Sequence, residues 1–330
     1  MQRWTLDLNR PDWRNALEAS AVCSAITNGE LVAVPTETVY GLTADATNGE
    51  ACAKIFAAKG RPQFNPLISH VASLADAQRH GEFDSQALDL AKAFWPGPLT
   101  LVVPKKKAST ISDLATAGLS TVALRVPEGP VMRFLSEKTG CPLAAPSANR
   151  SGKISPTRAD DVIADLEPCL SFIIDAGPCS IGIESTIVGL TDGTPRLLRP
   201  GGITREDLQG VLGSSLQGAP TNLQPDAPAA PGMLLSHYAP NATMTLNARE
   251  AVPSDALLSF GPDRVPGADQ AYAEFNLSPR GDFTEAAANL FRGMRTLDAS
   301  GADTIRVQFI PSFGLGEAIN DRLQRAAAPR

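Results

Sequence analysis

Short apolar runs bounded by turn residues alternate with helix-period segments along most of the chain. Residues 1–14 predict a short edge strand, and 15–28 a helix with Ala16, Leu17, Ala21, Val22 and Ile26 inward. The run Leu31-Val32-Ala33-Val34 predicts a buried strand that Pro35 ends. Residues 36–41 then form a loop at its carboxyl end, where α/β sheets usually hold ligands. A helix over 49–59 follows, with Ala51, Ile55 and Phe56 inward and Gly60 as its stop. Strands are predicted at 67–71, 99–103, 121–127, 141–145, 172–174, 185–190 and 196–199, and helices at 84–95, 130–139, 158–166 and 204–212. Leu88, Ala91, Phe94 and Trp95 share one helical face and read as core. Thr157 with Asp160 resembles a capping box, and Thr204 caps the helix after it.

From 213 to 232 the pattern dissolves into Ser, Gln, Ala, Pro and Asn, the composition of a linker. Beyond it, strands at 242–246, 256–260, 271–275 and 304–309 alternate with helices at 283–297 and 317–327, a small α/β unit. The division predicted is 1–212, a linker or lid at 213–240, and 241–330.

Candidate chemistry clusters in a few loops. Lys59 and Arg61 flank a helix end and enter a loop shaped by prolines; an Arg fork and a Lys point charge suit phosphate, although a surface turn with two solvated cations has the same spacing. Arg125 sits within a strand pattern, opposite in face to Val122 and Leu124, so it lies on a wet face or in a ligand cleft. The loop 146–157 is rich in Ser, Asn and Gly; its hydroxyls and N–H groups suit phosphate, or form an ordinary turn.

Composition narrows the class. A net charge of -6 disfavours a protein that grips nucleic acid by its backbone and favours small-molecule chemistry in a locally basic cleft. Five cysteines without a C-x-x-C pair and only three histidines argue against a zinc site or disulfide framework. No apolar run reaches membrane-spanning length, and the start of the chain has no signal-like core, so a cytoplasmic protein is expected. Gly314-Leu315-Gly316 lacks a third glycine and a preceding dinucleotide-type unit.

The ordered motifs PTETVYGL (35–42), KGRP with NPL (59–67), SANRSGKISPT (147–157), STIV (185–188) and LLRPGG (197–202) resemble the YrdC-like family of L-threonylcarbamoyl-AMP synthases. Pro231-Gly232-Met233 with His237-Tyr238-Ala239-Pro240, and SPRGDFTEAA (278–287), resemble its two-domain form. The likeness runs from about residue 15 to the C-terminus. One departure is Thr43, where the family usually has Gly.

The resemblance implies a twisted mixed sheet with helices and an open cleft, plus a smaller Rossmann-like unit. It implies ATP, L-threonine and bicarbonate or CO2 as substrates, magnesium carried on the phosphates without a dedicated metal site, pyrophosphate as product, and a downstream tRNA threonylcarbamoyl transferase as partner. Lys59 and Arg61 would be catalytic and, with Asn65, Thr121, Ser147, Asn149, Ser155, Arg199 and Tyr238, would meet ATP. Thr38, His70, Arg125, Ala145 and Ser185 would line the threonine site. His70 alone also fits a satisfied core histidine. Two rival classes are an RNA-binding module with a basic groove and a carbamoyl transferase of the hydrogenase-maturation type; the latter carries C-x-x-C zinc motifs that this sequence lacks.

Overall fold

Most strands of the first two thirds of the chain are apolar on both faces, as expected of a sheet covered on each side. The computed structural model describes residues 1–218 and 236–329. The chain opens with β1 (Gln2–Thr5), α1 (Leu17–Thr27), β2 (Val32–Val34), β3 (Gly41–Asp45) and α2 (Gly49–Lys59). Next come β4 (Ile68–His70), α3 (Leu74–His80), α4 (Ser85–Phe94), β5 (Leu99–Pro104), β6 (Thr121–Arg125), α5 (Pro130–Thr139) and β7 (Leu143–Ala144). The larger unit ends with α6 (Ala159–Leu166), β8 (Phe172–Asp175), β9 (Thr186–Gly189), β10 (Arg196–Arg199), α7 (Arg205–Leu212) and β11 (Gln217–Gly218). These strands form one mixed sheet in the order β1-β8-β2-β3-β7-β4-β6-β5-β9-β10-β11.

Alternation assigns each face its core. Ala33, Ala44, Leu67, Leu101, Leu124 and Val188 pack with α2 and α4 on one face. Val32, Val34, Leu143 and Ala145 pack with α1 and α5 on the other. Farther along that second face the side chains of Ile68, Val102, Ala123, Ile187 and Leu198 form a separate small cluster to which no helix contributes. Of these, Ile68 lines the cavity described below.

The smaller unit contains β12 (Thr243–Ala248), β13 (Ala256–Ser259), β14 (Ala273–Asn276), α8 (Phe283–Asp298), β15 (Thr304–Gln308) and α9 (Leu315–Ala327). Its four strands are parallel, in the order β12-β15-β13-β14. Ala287, Leu290, Phe291, Met294 and Leu297 of α8 are buried, as their spacing predicts. Val39, Ile154, Ile183 and Tyr238 join the same core, so the two units share apolar packing. Arg295 adds a polar tie, donating to Ile154 O at 2.6 Å and to Asp165 at 3.2 Å.

Several expectations need correction. α1 buries Ala19, Val22, Ala25 and Ile26, while Leu17 is 88% exposed, Ala21 is exposed and Ala16 is only half-buried. The helix starts at Leu17, which displaces the inward face from the one read off residues 16 and 17. On α4 it is Leu90 that is fully buried and Leu88 only partly. The box at α6 uses Asp161, whose carboxylate accepts from the Thr157 and Arg158 N–H groups at 3.0 and 3.1 Å, and Asp160 takes no part in it. The helix begins one residue later than the Thr157–Asp160 spacing requires. The linker reading falls largely on residues 219–235, outside the described residues, including Met233, Leu234 and Leu235.

Candidate active site

Two loops are zipped together above the bare half of the sheet. Tyr40 N–H donates to Pro156 O at 3.0 Å, Leu42 N–H to Pro146 O at 2.8 Å, and Ala148 N–H to Tyr40 O at 2.8 Å. Pro35 and the buried Tyr40, whose hydroxyl donates to Gly177 O at 2.7 Å, fix the ends of the first loop. Thr36 folds it inward, donating to Val39 O at 2.7 Å and accepting from the Val39 N–H. A cavity lies between these loops, the sheet and residues 237 and 238. Thr38, Arg61, His70, Arg125, Ala145, Ser147, Ser185, Arg199 and Tyr238 all line it, with Val39, Ile68, Pro146, Glu184 and His237.

The cations are far from solvated. Lys59 is 4% exposed and Arg61 8%, which rules out the surface turn with two solvated cations. Lys59 is the last residue of α2, and Gly60 turns the chain in the left-handed conformation at φ 61°. The Lys59 ammonium donates to Ser147 O at 2.6 Å and to Asn149 O, fastening α2 to the second loop. Arg61 donates to Asn65 O at 3.1 Å and Pro66 O at 2.9 Å. Burial, then the neighbouring Arg61, pulls the Lys59 pKa well below the ordinary lysine range. Burial and then Arg199 bring Arg61 down to about 9. Three cations crowded with too few counter-charges form a site that an anion would relieve.

Arg199 reaches the cavity through a bulge. The register of β10 against β9 shifts between Leu197 and Arg199, setting Arg199 opposite Ile187 on the cleft face. Its guanidinium donates to Ser185 O at 2.8 Å and to the Ser185 hydroxyl at 3.2 Å. Ser185 in turn bonds the Thr100 hydroxyl at 2.8 Å.

Arg125 and His70 are neighbours on β6 and β4, paired in register. Arg125 donates to Glu37 at 2.5 Å, to the Thr38 hydroxyl at 3.0 Å and to Gly97 O at 3.2 Å. Its planar fork is therefore aimed, with one N–H left on each terminal nitrogen. Burial opposes the Glu37 charge, but Arg125 and the Glu128 N–H outweigh it and hold the carboxyl below its ordinary value. Burial, then Arg125, lowers His70 to about 3, so it is neutral near pH 7. Its Nδ1 is buried without a partner among the described residues. Both amide atoms of Asn65 and the Nδ1 of His237 are orphaned in the same way. Of these, His70 and His237 line the cavity, where a ligand would supply the missing partner, while Asn65, like Lys59, does not line it.

Some expected residues stand back from the cavity wall. Asn149 pins its own loop, donating to Arg150 O and Lys153 O at 2.8 Å each. Ser155 donates to Glu184 at 2.6 Å, one step behind the lining. Thr121 lies at the far end of β6, opposite Pro104, and is not brought to the cavity. Glu37 and Glu184 were missed as site residues. Each stands beside a candidate, Thr38 and Ser185, and that adjacency was the available signal.

A mixed sheet with one bare, cation-rich half and a docked four-stranded parallel unit define an α/β protein of the YrdC-like class. The chain belongs to the Sua5, YciO and YrdC family, described as telomere recombination, which matches residues 24–201. Residues 203–328 match the family described as the threonylcarbamoyl-AMP synthase C-terminal domain. The chain is 37% identical to the threonylcarbamoyl-AMP synthase of Bacillus subtilis (strain 168), covering 100% of this chain and 98% of that one. It is 40% identical to the Pyrococcus abyssi enzyme of the same name over 92% of each. The crystal structure of P. abyssi Sua5 complexed with L-threonine superposes with a TM-score of 0.88 at 36% identity, covering 99% and 98% of the two chains.

Proposed function

We propose that the chain is a nucleotidyltransferase that makes L-threonylcarbamoyl-AMP from ATP, L-threonine and bicarbonate or CO2, releasing pyrophosphate. The observation that carries this reading is one cavity holding both Arg61 with Arg199 and Thr38, His70 with Arg125. The first pair, with Lys59 behind it, suits a triphosphate; the second set suits an amino acid, with Arg125 for its carboxylate. A neutral His70 can accept a hydrogen bond from the amine or hydroxyl of threonine. Ala145, Val39 and Ile68 offer apolar contact to its methyl. P. abyssi Sua5, the relative whose structure holds L-threonine, supports the amino-acid half.

Threonine carboxylated on its nitrogen attacks the α-phosphorus in line through a carbamate oxygen, and the bond to the β,γ-pyrophosphate breaks. No protein nucleophile is needed; positioning and charge neutralisation carry the step. Both Glu184 oxygens are engaged, by Ser155 and by Arg322, so magnesium would ride on phosphates and water. Ser147 and Tyr238 complete the ATP assignment from the cavity wall, with Asn65, Asn149 and Ser155 behind it, and Ala145 and Ser185 complete the threonine one; Thr121, at the far end of β6, is withdrawn from the ATP site. We assign 1–212 to the catalytic unit, 213–240 to a lid and 241–330 to the C-terminal unit, in a cytoplasmic protein. The mixed anhydride would pass to a downstream transferase that modifies the tRNA adenosine next to the anticodon. Among the described residues no helix is long and apolar enough to cross a membrane.

The test is pyrophosphate release from ATP by the purified protein, expected only when threonine and bicarbonate are both present. Release that ignores threonine, or tight tRNA binding at physiological salt without ATP binding, would overturn the reading.

A further inference from the structure

Arg322, on α9 of the C-terminal unit, heads the fully buried side chains by volume among the described residues, at 0% exposure. Its Nε donates to Glu184 Oε2 at 3.0 Å, and its Nη1 donates to Pro200 O at 2.6 Å and to Asp321 at 2.8 Å. The guanidinium lies 5.6 Å from the centre of the Tyr238 ring. Its Nη2 is buried without a partner among the described residues. The other Glu184 oxygen is taken by the Ser155 hydroxyl at 2.6 Å. One side chain of the smaller unit therefore grips a carboxylate that lines the cavity of the larger one, and the backbone next to Arg199.

Among the described residues Glu184 is the single carboxylate lining the cavity, and it stands near Arg199. An anion in a phosphate site is a liability. Left unheld, it would turn to Arg199 and cancel a charge that the triphosphate needs. Stability alone does not explain the pair, since buried ion pairs are often no better than apolar residues of the same volume. We propose that Arg322 is a positioning residue for the nucleotide: it neutralises Glu184 and holds it off Arg199, keeping the Arg199 charge for phosphate. The C-terminal unit thereby sets the charge of the cleft without reaching the reacting atoms. Burial would raise the Glu184 pKa, yet Arg322 first and Arg199 second keep it low, so the carboxylate is charged and needs its partner.

The inference rests on the ATP assignment, and the experiment separates the two. Arg322→Gln, Arg322→Lys and Arg322→Gln with Glu184→Gln are made in the full chain. KM for ATP and for threonine and the melting temperature are then measured. Arg322→Gln should raise KM for ATP about tenfold and that for threonine less than about twofold, the scale of one charge-assisted contact. Arg322→Lys should recover part of the loss. Removing the Glu184 charge as well should lower KM for ATP at least about threefold from that of Arg322→Gln alone. A pure brace between the units predicts the opposite: the double variant stays impaired, or both KM values rise together, and either result overturns the proposal. Should Arg322→Gln fail to fold, the Lys variant with and without Glu184→Gln carries the same comparison. An unaltered protein that releases no pyrophosphate with threonine overturns the functional reading itself.

Discussion

Lys59 and Arg61 are held before any ligand arrives, so little reorganisation is needed when phosphate enters. Replacing either with Ala should slow turnover by roughly 2–4 kcal/mol of barrier, the usual loss on removing a preorganised electrostatic clamp. Lys59→Ala should also lower stability, because its ammonium ties α2 to the loop carrying Ser147. Near-normal pyrophosphate release by both variants would remove them from the site. Burial and Arg61 lower the Lys59 pKa in the free cleft, and a phosphate would raise it again, so ATP binding should draw in a proton and weaken as pH rises. Calorimetry of ATP binding in two buffers of different ionisation heat should show that uptake, and Lys59→Ala should abolish it. Arg125→Lys keeps a charge but loses the fork that Glu37 and Thr38 orient. It should raise the threonine requirement more than the ATP requirement. Serine should be only partly discriminated against, since one methyl is worth about 1–3 kcal/mol. An effect on ATP alone would place Arg125 on the wrong ligand. At this scale the sequence displayed which loops carry charge. It hid the partners, because Glu184 and Arg322 lie 138 positions apart and meet only through the docking of α9.

Elements set these residues by register and by glycine. β4 and β6 place His70 against Arg125, and alternation alone foretold that Arg125 opposes Val122 and Leu124. α3 went unread because seven residues span about two helical turns, too few for a period to show. The bulge that aims Arg199 was equally silent, since one unpaired residue leaves no trace in apolar spacing. The contact between α8 and the larger unit depends on Gly182. There φ is +77°, and an added Cβ would lie 2.5 Å from Ala288 Cα and 2.7 Å from the Ala287 carbonyl oxygen. Gly60 is also left-handed but has open space around it, so only conformational strain would follow its replacement. Gly182→Ala carries that strain of about 1–2 kcal/mol and a backbone clash besides. It should unfold at clearly lower denaturant than the unaltered protein, with KM for ATP raised because Glu184 is two residues away. A midpoint shift no larger than that of Gly60→Ala would show that α8 does not pack there as described.

On the scale of the whole molecule, the linker composition announced two units, and the periods of 3.6 and 2 gave most elements of each. What composition could not convey is that the units share a core, and that His237 and Tyr238 of the connection line the cavity. Tyr238 stands in both: its ring stacks on Phe291 at 5.4 Å, and it also lines the cleft. Its neighbour Ala239 donates to Gly152 O at 2.8 Å, tying this stretch to the loop of Ser147 and Ser155. A staple between the units and a lid over the nucleotide are therefore rival uses of Tyr238, and they predict different variants. Tyr238→Ala alone cannot separate them, because emptying a buried aromatic site costs about 3–5 kcal/mol of stability. Tyr238→Phe keeps the ring and removes the hydroxyl. If the segment closes over the nucleotide, Tyr238→Phe should impair formation or retention of the mixed anhydride at nearly unchanged melting temperature. Tyr238→Ala should lose both. Closure should also slow proteolysis within residues 213–240 when ATP and threonine are bound together, more than with either alone, because water must be kept from a labile product only when both are present. Cleavage rates indifferent to ligands, with Tyr238→Phe fully active, would leave Tyr238 as a staple between the units and remove the lid from the mechanism.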